Sequence, residues 1–203
     1  MLKIGILAST KATDMQAVID AIESHQLDAK ITILISDKMN AYCLERAKKH
    51  NIPAIYINPK EKSREDFDKE AAELFDHNDT ELILMLGYMR IVSGWFVNRY
   101  KNRIINIHPS LLPEFAGGMD LNVHQQVIDA KAKVTGCTLH FAIESVDAGP
   151  VIMQKSVEVT SKDTADTLKE KVQKAEQEII VNSLKLFSEG KIKVEEGKAV
   201  ISP

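Results

Sequence analysis

Apolar positions along the first hundred residues alternate between two rhythms. Leu2–Leu7 is a short apolar run with β-branched residues. Met15, Val18, Ile19 and Ile22 then recur at i, i+3, i+4 and i+7, the spacing of one helix face. Thr13 followed by Gln16 predicts a capping box at the start of that helix. The rhythm repeats with strands predicted at 30–36, 53–57, 82–86 and 104–107, and helices at 41–50 and 64–75. Strands apolar on both faces and separated by amphipathic helices predict a parallel sheet covered on each side.

After residue 130 the pattern changes. Residues 134–143 and 151–159 read as longer strands joined through Asp147-Ala148-Gly149-Pro150, a pair that should run antiparallel. One long helix is predicted from about 164 to 187, with Ala165, Leu168, Val172, Ala175 and Ile179 three and four apart. Gly190 ends it, and a short strand-like tail follows. Without a Pro/Ser-rich linker, a repeat or a low-complexity stretch, the expectation is one domain over 1–203. Its fold class is α/β, a mostly parallel twisted sheet with helices on both faces and antiparallel strands toward the C-terminal half.

Composition narrows the partners. The 203 residues are 44% hydrophobic and 27% charged with net charge −3, and acids and bases are mixed. That balance fits a soluble globular chain, and with no basic block nucleic acid is not the expected partner. The two cysteines, Cys43 and Cys137, form no CxxC or Cys/His cluster, so neither a disulfide scaffold nor a metal site is expected. The N-terminus turns polar too soon for a signal peptide, and no stretch reaches membrane-spanning length. A cytoplasmic protein with no membrane partner is expected.

In open α/β sheets ligands bind at the carboxyl ends of the strands, which directs attention to loops 8–14, 87–91, 108–120 and 144–149. The strand at 104–107 carries Asn106 and is followed by His108 and the proline-bracketed loop Pro109-Ser110-Leu111-Leu112-Pro113. Asn106 and His108 are two apart and share a face, opposite Ile105 and Ile107. An amide suits a developing oxyanion, and an imidazole carries protons near neutral pH. Asp147 is the candidate third group, although Asp-x-Gly-Pro serves equally as hairpin chemistry. His140, alternating with Leu139 and Phe141, reads as structural. No nucleophile elbow, HExxH or carboxylate cluster is present. A set of Asn, His and Asp without a protein nucleophile points to direct transfer, in which the substrate brings its own.

The run Asn106-Ile107-His108-Pro109-Ser110-Leu111-Leu112-Pro113, with Val146-Asp147-Ala148-Gly149-Pro150-Val151-Ile152 downstream, resembles the folate-dependent formyltransferase family. Gln16-Ala17, Leu44-Glu45-Arg46-Ala47, Ser63-Arg64-Glu65 and Gly87-Tyr88-Met89-Arg90-Ile91 extend the likeness to most of the chain.

The resemblance implies that an amine attacks the formyl carbon of 10-formyltetrahydrofolate, with glycinamide ribonucleotide of purine biosynthesis as the small-molecule acceptor. It implies no metal. Asn106 would stabilise the oxyanion, His108 would shuttle protons, and Asp147 would raise the pKa of His108. Met89, Arg90, Ile91, Val92 and Val97 would wall the pterin pocket. The backbone of Ile143, Glu144, Ser145 and Val146 would meet its polar edge. Arg64 matches a position near the ligands, and Gln173 and Glu176 match positions that hold the acceptor. On residue type alone these last three would be surface groups.

Two segments depart from the family pattern. A glycine-rich turn, Gly-x-Gly-Ser-Asn, is replaced by Ser9-Thr10-Lys11-Ala12-Thr13-Asp14, within which Lys11, Ala12, Thr13 and Asp14 are expected to meet the acceptor's phosphate. Phe115-Ala116-Gly117-Gly118-Met119-Asp120 replaces a shorter Phe-Pro-Gly-x-His. Other readings are a sugar-amine formyltransferase, a formyltetrahydrofolate deformylase, or a non-catalytic folate- or nucleotide-binding module.

Overall fold

The computed structural model describes residues 1–117 and 121–202, so Gly118, Met119 and Asp120 of the second departure lie outside the described residues. Elements follow in the order β1 (Leu2–Leu7), α1 (Thr13–Glu23), β2 (Ala29–Ser36), α2 (Tyr42–Lys49), β3 (Ala54–Tyr56) and α3 (Arg64–His77). Next come β4 (Leu82–Met85), α4 (Gly94–Arg99), β5 (Ile104–His108), α5 (Leu121–Asp129), β6 (Val134–Phe141) and β7 (Val151–Glu158). The chain closes with α6 (Ala165–Ser188), β8 (Ile192–Glu195) and β9 (Lys198–Ile201).

Seven strands form one sheet in the order β3-β2-β1-β4-β5-β6-β7, and β8 pairs with β9 separately. From β3 to β5 the pairing is parallel, while β6 and β7 are antiparallel. Side-chain alternation feeds two cores, one on each face. Ile4, Ile6, Leu84 and Ile105 pack with α1, α5 and α6, whereas Leu7, Ile33, Ile83 and Ile104 pack with α3 and α4. Both cysteines lie in the first core, fully buried and unpaired by disulfide.

The chain runs outward from β1 to β2 and β3, then returns to lay β4 on the other side of β1. The order reverses between β1 and β4, which leaves a crevice at their carboxyl ends. Long α6 begins at Thr164, whose hydroxyl accepts from the Thr167 amide while the Thr167 side chain answers in a capping box. It ends where Gly190 takes φ 68°, with the Lys191 amide bonding the Leu186 carbonyl at 2.9 Å.

One expected cap is not formed. Ala12, not Thr13, precedes α1, in a left-handed conformation with no side-chain cap bond. Thr13 is already the first helical residue, so its hydroxyl cannot serve as N-cap. Periodicity does not mark α4, which is too short for a full repeat, or α5, where His124 and Gln125 stand at the i+3 and i+4 positions from Leu121.

Candidate active site

Strand alternation places Ile105 and Ile107 against the α6 side of the sheet and leaves Asn106 and His108 on the opposite face. Antiparallel β6 then sets His140 across from Asn106 and Thr138 across from His108. The His140 ring donates from Nδ1 to the Phe141 carbonyl at 2.9 Å, which leaves Nε2 to accept from the Asn106 amide at 3.2 Å. His140 is therefore part of the cluster, correcting the reading of it as merely structural. The cross-strand register that brings it there is not written in β6 alone.

His108 is held from several sides. Its Nε2 donates to the Phe115 carbonyl at 3.0 Å, and Nδ1 lies 3.3 Å from Asp147 Oδ2. The same Asp147 oxygen accepts from the Gly117 amide at 2.9 Å, and Asp147 Oδ1 lies 3.6 Å from His140 Nε2. Thr138 pins the loop after His108: its hydroxyl donates to the Ser110 carbonyl at 2.7 Å and accepts from the Leu112 amide at 3.0 Å. The loop's rigidity thus comes from a buried hydroxyl as well as from its prolines.

Burial lowers the pKa of His108 and outweighs the opposing pull of Asp147. Asp147 raises that pKa, as the resemblance implies, but the net direction is downward. For Asp147 itself burial pushes upward, yet the Gly117 amide and, in the acid range where the carboxyl titrates, the protonated form of the His108 ring hold it below the usual carboxylate range. The pair is thus a neutral imidazole beside a carboxylate, arranged so that a proton arriving on His108 finds a counter-charge.

Asp147 owes its aim to backbone that most residues avoid, with φ 54°. Two residues later Gly149 passes so close to β6 that a Cβ there would lie 1.8 Å from the Phe141 carbonyl oxygen. The residues of the hairpin turn are here also residues of the candidate site. Gly149→Ala is expected to destabilise the fold by about 1–3 kcal/mol, the range for overpacking a filled interior. Urea unfolding checks this, and a midpoint unchanged from the parent would show that the loop yields.

Two adjoining cavities open at the crevice. One, of about 130 Å³, is lined by Asn106, His108, His140 and Asp147 together with Arg90, Ile91, Val92, Ile143 and Val146. The other, of about 480 Å³, is lined by Lys11, Ala12, Thr13, Asp14, Gln173 and Glu176. Gly87, Ile107 and Pro109 border both.

Most of the expected site residues are thus brought together, and the exceptions are specific. Met89 lines the larger cavity and not the smaller one where Arg90, Ile91 and Val92 lie. Val97 is packed in the core beside Val92, Glu144 bonds Asn98, and Ser145 and Arg64 are exposed; none of the four lines either cavity. Thr10, His124, Asp166, Lys169 and Glu170 line the larger cavity and were missed. Positions 166, 169, 170, 173 and 176 repeat at helical spacing, so a polar stripe beside the apolar one was the available signal.

Asp14 is buried in the first turn of α1, and burial pushes its carboxyl up to about 6. Among the described residues no three His, Cys, Asp or Glu side chains gather as a metal site. No helix among them is long and apolar enough to cross a membrane.

The profile of the family described as formyl transferase matches residues 2–184. The chain belongs to the formyl transferase family. Over 202 residues it is 34% identical to the phosphoribosylglycinamide formyltransferase of Haemophilus influenzae, covering 99% of this chain and 94% of that one. It is 40% identical over 195 residues to the trifunctional purine biosynthetic protein adenosine-3 of Bos taurus, covering 96% of this chain. The chain spans only 19% of that protein's length. Glycinamide ribonucleotide transformylase 1 of Symbiobacterium toebii has the same fold, with TM-score 0.95 at 36% identity, covering 100% of this chain and 95% of that one. In this formyl transferase, therefore, the two cavities lie at the switch point of a sheet shared with a solved transformylase.

Proposed function

We propose that the protein transfers the formyl group of 10-formyltetrahydrofolate to the amine of glycinamide ribonucleotide, within purine biosynthesis. The observation that carries this reading is the pair of cavities meeting at Ile107 and Pro109, with Asn106, His108 and Asp147 lining one of them. Two small-molecule substrates can meet there.

The acceptor amine attacks the formyl carbon, a C–N bond forms, and the carbonyl oxygen takes up negative charge. Asn106 has a second amide hydrogen, beyond the one given to His140, for that oxygen. His108, neutral at the start, takes the proton lost by the attacking nitrogen and passes it to the folate nitrogen as the old C–N bond breaks. Asp147 stabilises the imidazolium in between. Arg90, Ile91 and Val92 wall the donor, and the turn at Lys11–Asp14 with Gln173 and Glu176 receives the acceptor.

One observation favours a second reading, in which water and not a phosphorylated amine takes the formyl group. Asp14, Asp166, Glu170 and Glu176 line the larger cavity against Lys11 and Lys169, a balance that disfavours a phosphate dianion. Turnover with 10-formyltetrahydrofolate is therefore measured against glycinamide ribonucleotide, nucleotide-linked amino sugars, and water alone. Glycinamide ribonucleotide is expected to be the preferred acceptor; equal or faster formylation of an amino sugar, or hydrolysis alone, overturns the assignment. Ala12→Glu is expected to raise the acceptor KM at least about 10²-fold by setting a charge against the phosphate. Lys11→Ala is expected to raise it about tenfold, the scale of one charge-assisted hydrogen bond. If neither moves KM at saturating donor, the turn holds no phosphate.

A further inference from the structure

The turn from β1 into α1 contains no glycine, yet Ala12 sits at φ 43° and ψ 57°. Side chains avoid that left-handed region because Cβ crowds the following carbonyl. No side-chain cap supports it from within.

Support comes instead from α2. The Cys43 amide donates to the Thr10 carbonyl at 3.2 Å. One residue further along, Arg46 Nε donates to the Lys11 carbonyl at 3.4 Å. The same guanidinium reaches past Ala12 to α1, where Nη1 donates to Gln16 Oε1 at 2.5 Å. Gln16 is held in turn, its amide donating to Asp20 at 2.8 Å. The Arg46 guanidinium also stands 5.3 Å from the centre of the Tyr42 ring, which supports it on the helix surface. Arg46 lines neither cavity, so it reaches a ligand there either through the loop or through its charge, which already acts on Asp14 of the larger cavity.

We propose that Arg46 is a positioning residue for the acceptor site, bracketing Ala12 between the Lys11 carbonyl and Gln16 and so holding the glycine-free turn in its left-handed form. The inference rests on the acceptor reading given above. A planar guanidinium suits this task because its fixed fork makes two divergent bonds at once.

A comparison of backgrounds tests it, with glycinamide ribonucleotide as the varied substrate. In the parent chain Arg46→Ala raises the acceptor KM about tenfold, equivalent to about 1.4 kcal/mol, with kcat and the donor KM unchanged. Arg46→Lys gives a similar rise, since one ammonium cannot reproduce the bracket. In an Ala12→Gly background the turn no longer needs holding, and Arg46→Ala then raises KM less than about twofold relative to that background. A thermal melt of each variant confirms that it is folded.

Full rescue by lysine would overturn the proposal in favour of a simple charge effect. An equal penalty in the glycine background would overturn it as well, because Arg46 would then not act through the backbone of Ala12. If Arg46→Ala leaves KM unmoved while Ala12→Glu raises it, the bracket is wrong and the phosphate reading stands. If Ala12→Glu also leaves KM unmoved, both fall.

Discussion

His108→Ala lowers turnover by at least about 10²-fold, the usual scale for a positioned acid–base group, in a protein that remains folded. The ring sits at a strand end, bonded to the Phe115 carbonyl and facing Asp147. Replacing it removes the proton carrier while leaving Ile105 and its core untouched. Stability should respond to pH in a defined direction. The native pKa of His108 lies below its ordinary 6.5. As pH falls through that interval the unfolded chain binds a proton that the native state refuses, so stability is lost. Urea unfolding at several values between pH 7.5 and 5 should show a smaller loss in His108→Ala than in the parent. Near-normal turnover in the variant would sink the proton-relay assignment, and a steeper loss of stability would reverse the direction of the His108 shift.

Asn106→Ala is expected to cost about 10²–10³ in turnover, or about 2.7–4 kcal/mol, the scale for removing one oxyanion donor. Its signature is a split between binding and chemistry. A donor that acts as negative charge develops contributes little to ground-state affinity, so folate binding should change far less than kcat. Isothermal titration with the folate and turnover in the same variant separate the two. Large loss of affinity with turnover per bound complex preserved would make Asn106 a binding residue. His140 loses a partner in this variant, and a melt shows what that costs the fold.

The sequence revealed the alternation of β5 because strand geometry has a period of two: once Ile105 and Ile107 are assigned to a core, Asn106 and His108 must share the other face. The same logic could not find His140. Its position opposite Asn106 depends on the antiparallel register of β6 on β5, and no local pattern encodes that register. Ala12 was unreadable for a different reason. Its left-handed backbone is imposed by neighbours in space, α2 above all, on a residue whose own preference is otherwise. Gln173 and Glu176 fell on the polar side of an amphipathic helix, and only the folded chain distinguishes a polar stripe facing a cavity from one facing open water. Asp147 was visible as a turn residue, but its dual role required the approach of Gly149 to β6.

The two sealed cysteines give the molecule a built-in clock. Burial raises both thiols above their ordinary pKa and leaves neither accessible, so thiolate chemistry on the closed molecule is suppressed twice over. Alkylating reagents must wait for an opening, and the labelling rate then counts openings in place of intrinsic reactivity. Cys43 lies in the first turn of α2, with its sulfur toward the Ala8 carbonyl just beyond β1, whereas Cys137 lies in β6 beside the Lys155 carbonyl. Matching rates at the two sites would mean that the sheet breathes as one cooperative body. Faster labelling of one would mark the half that loosens first.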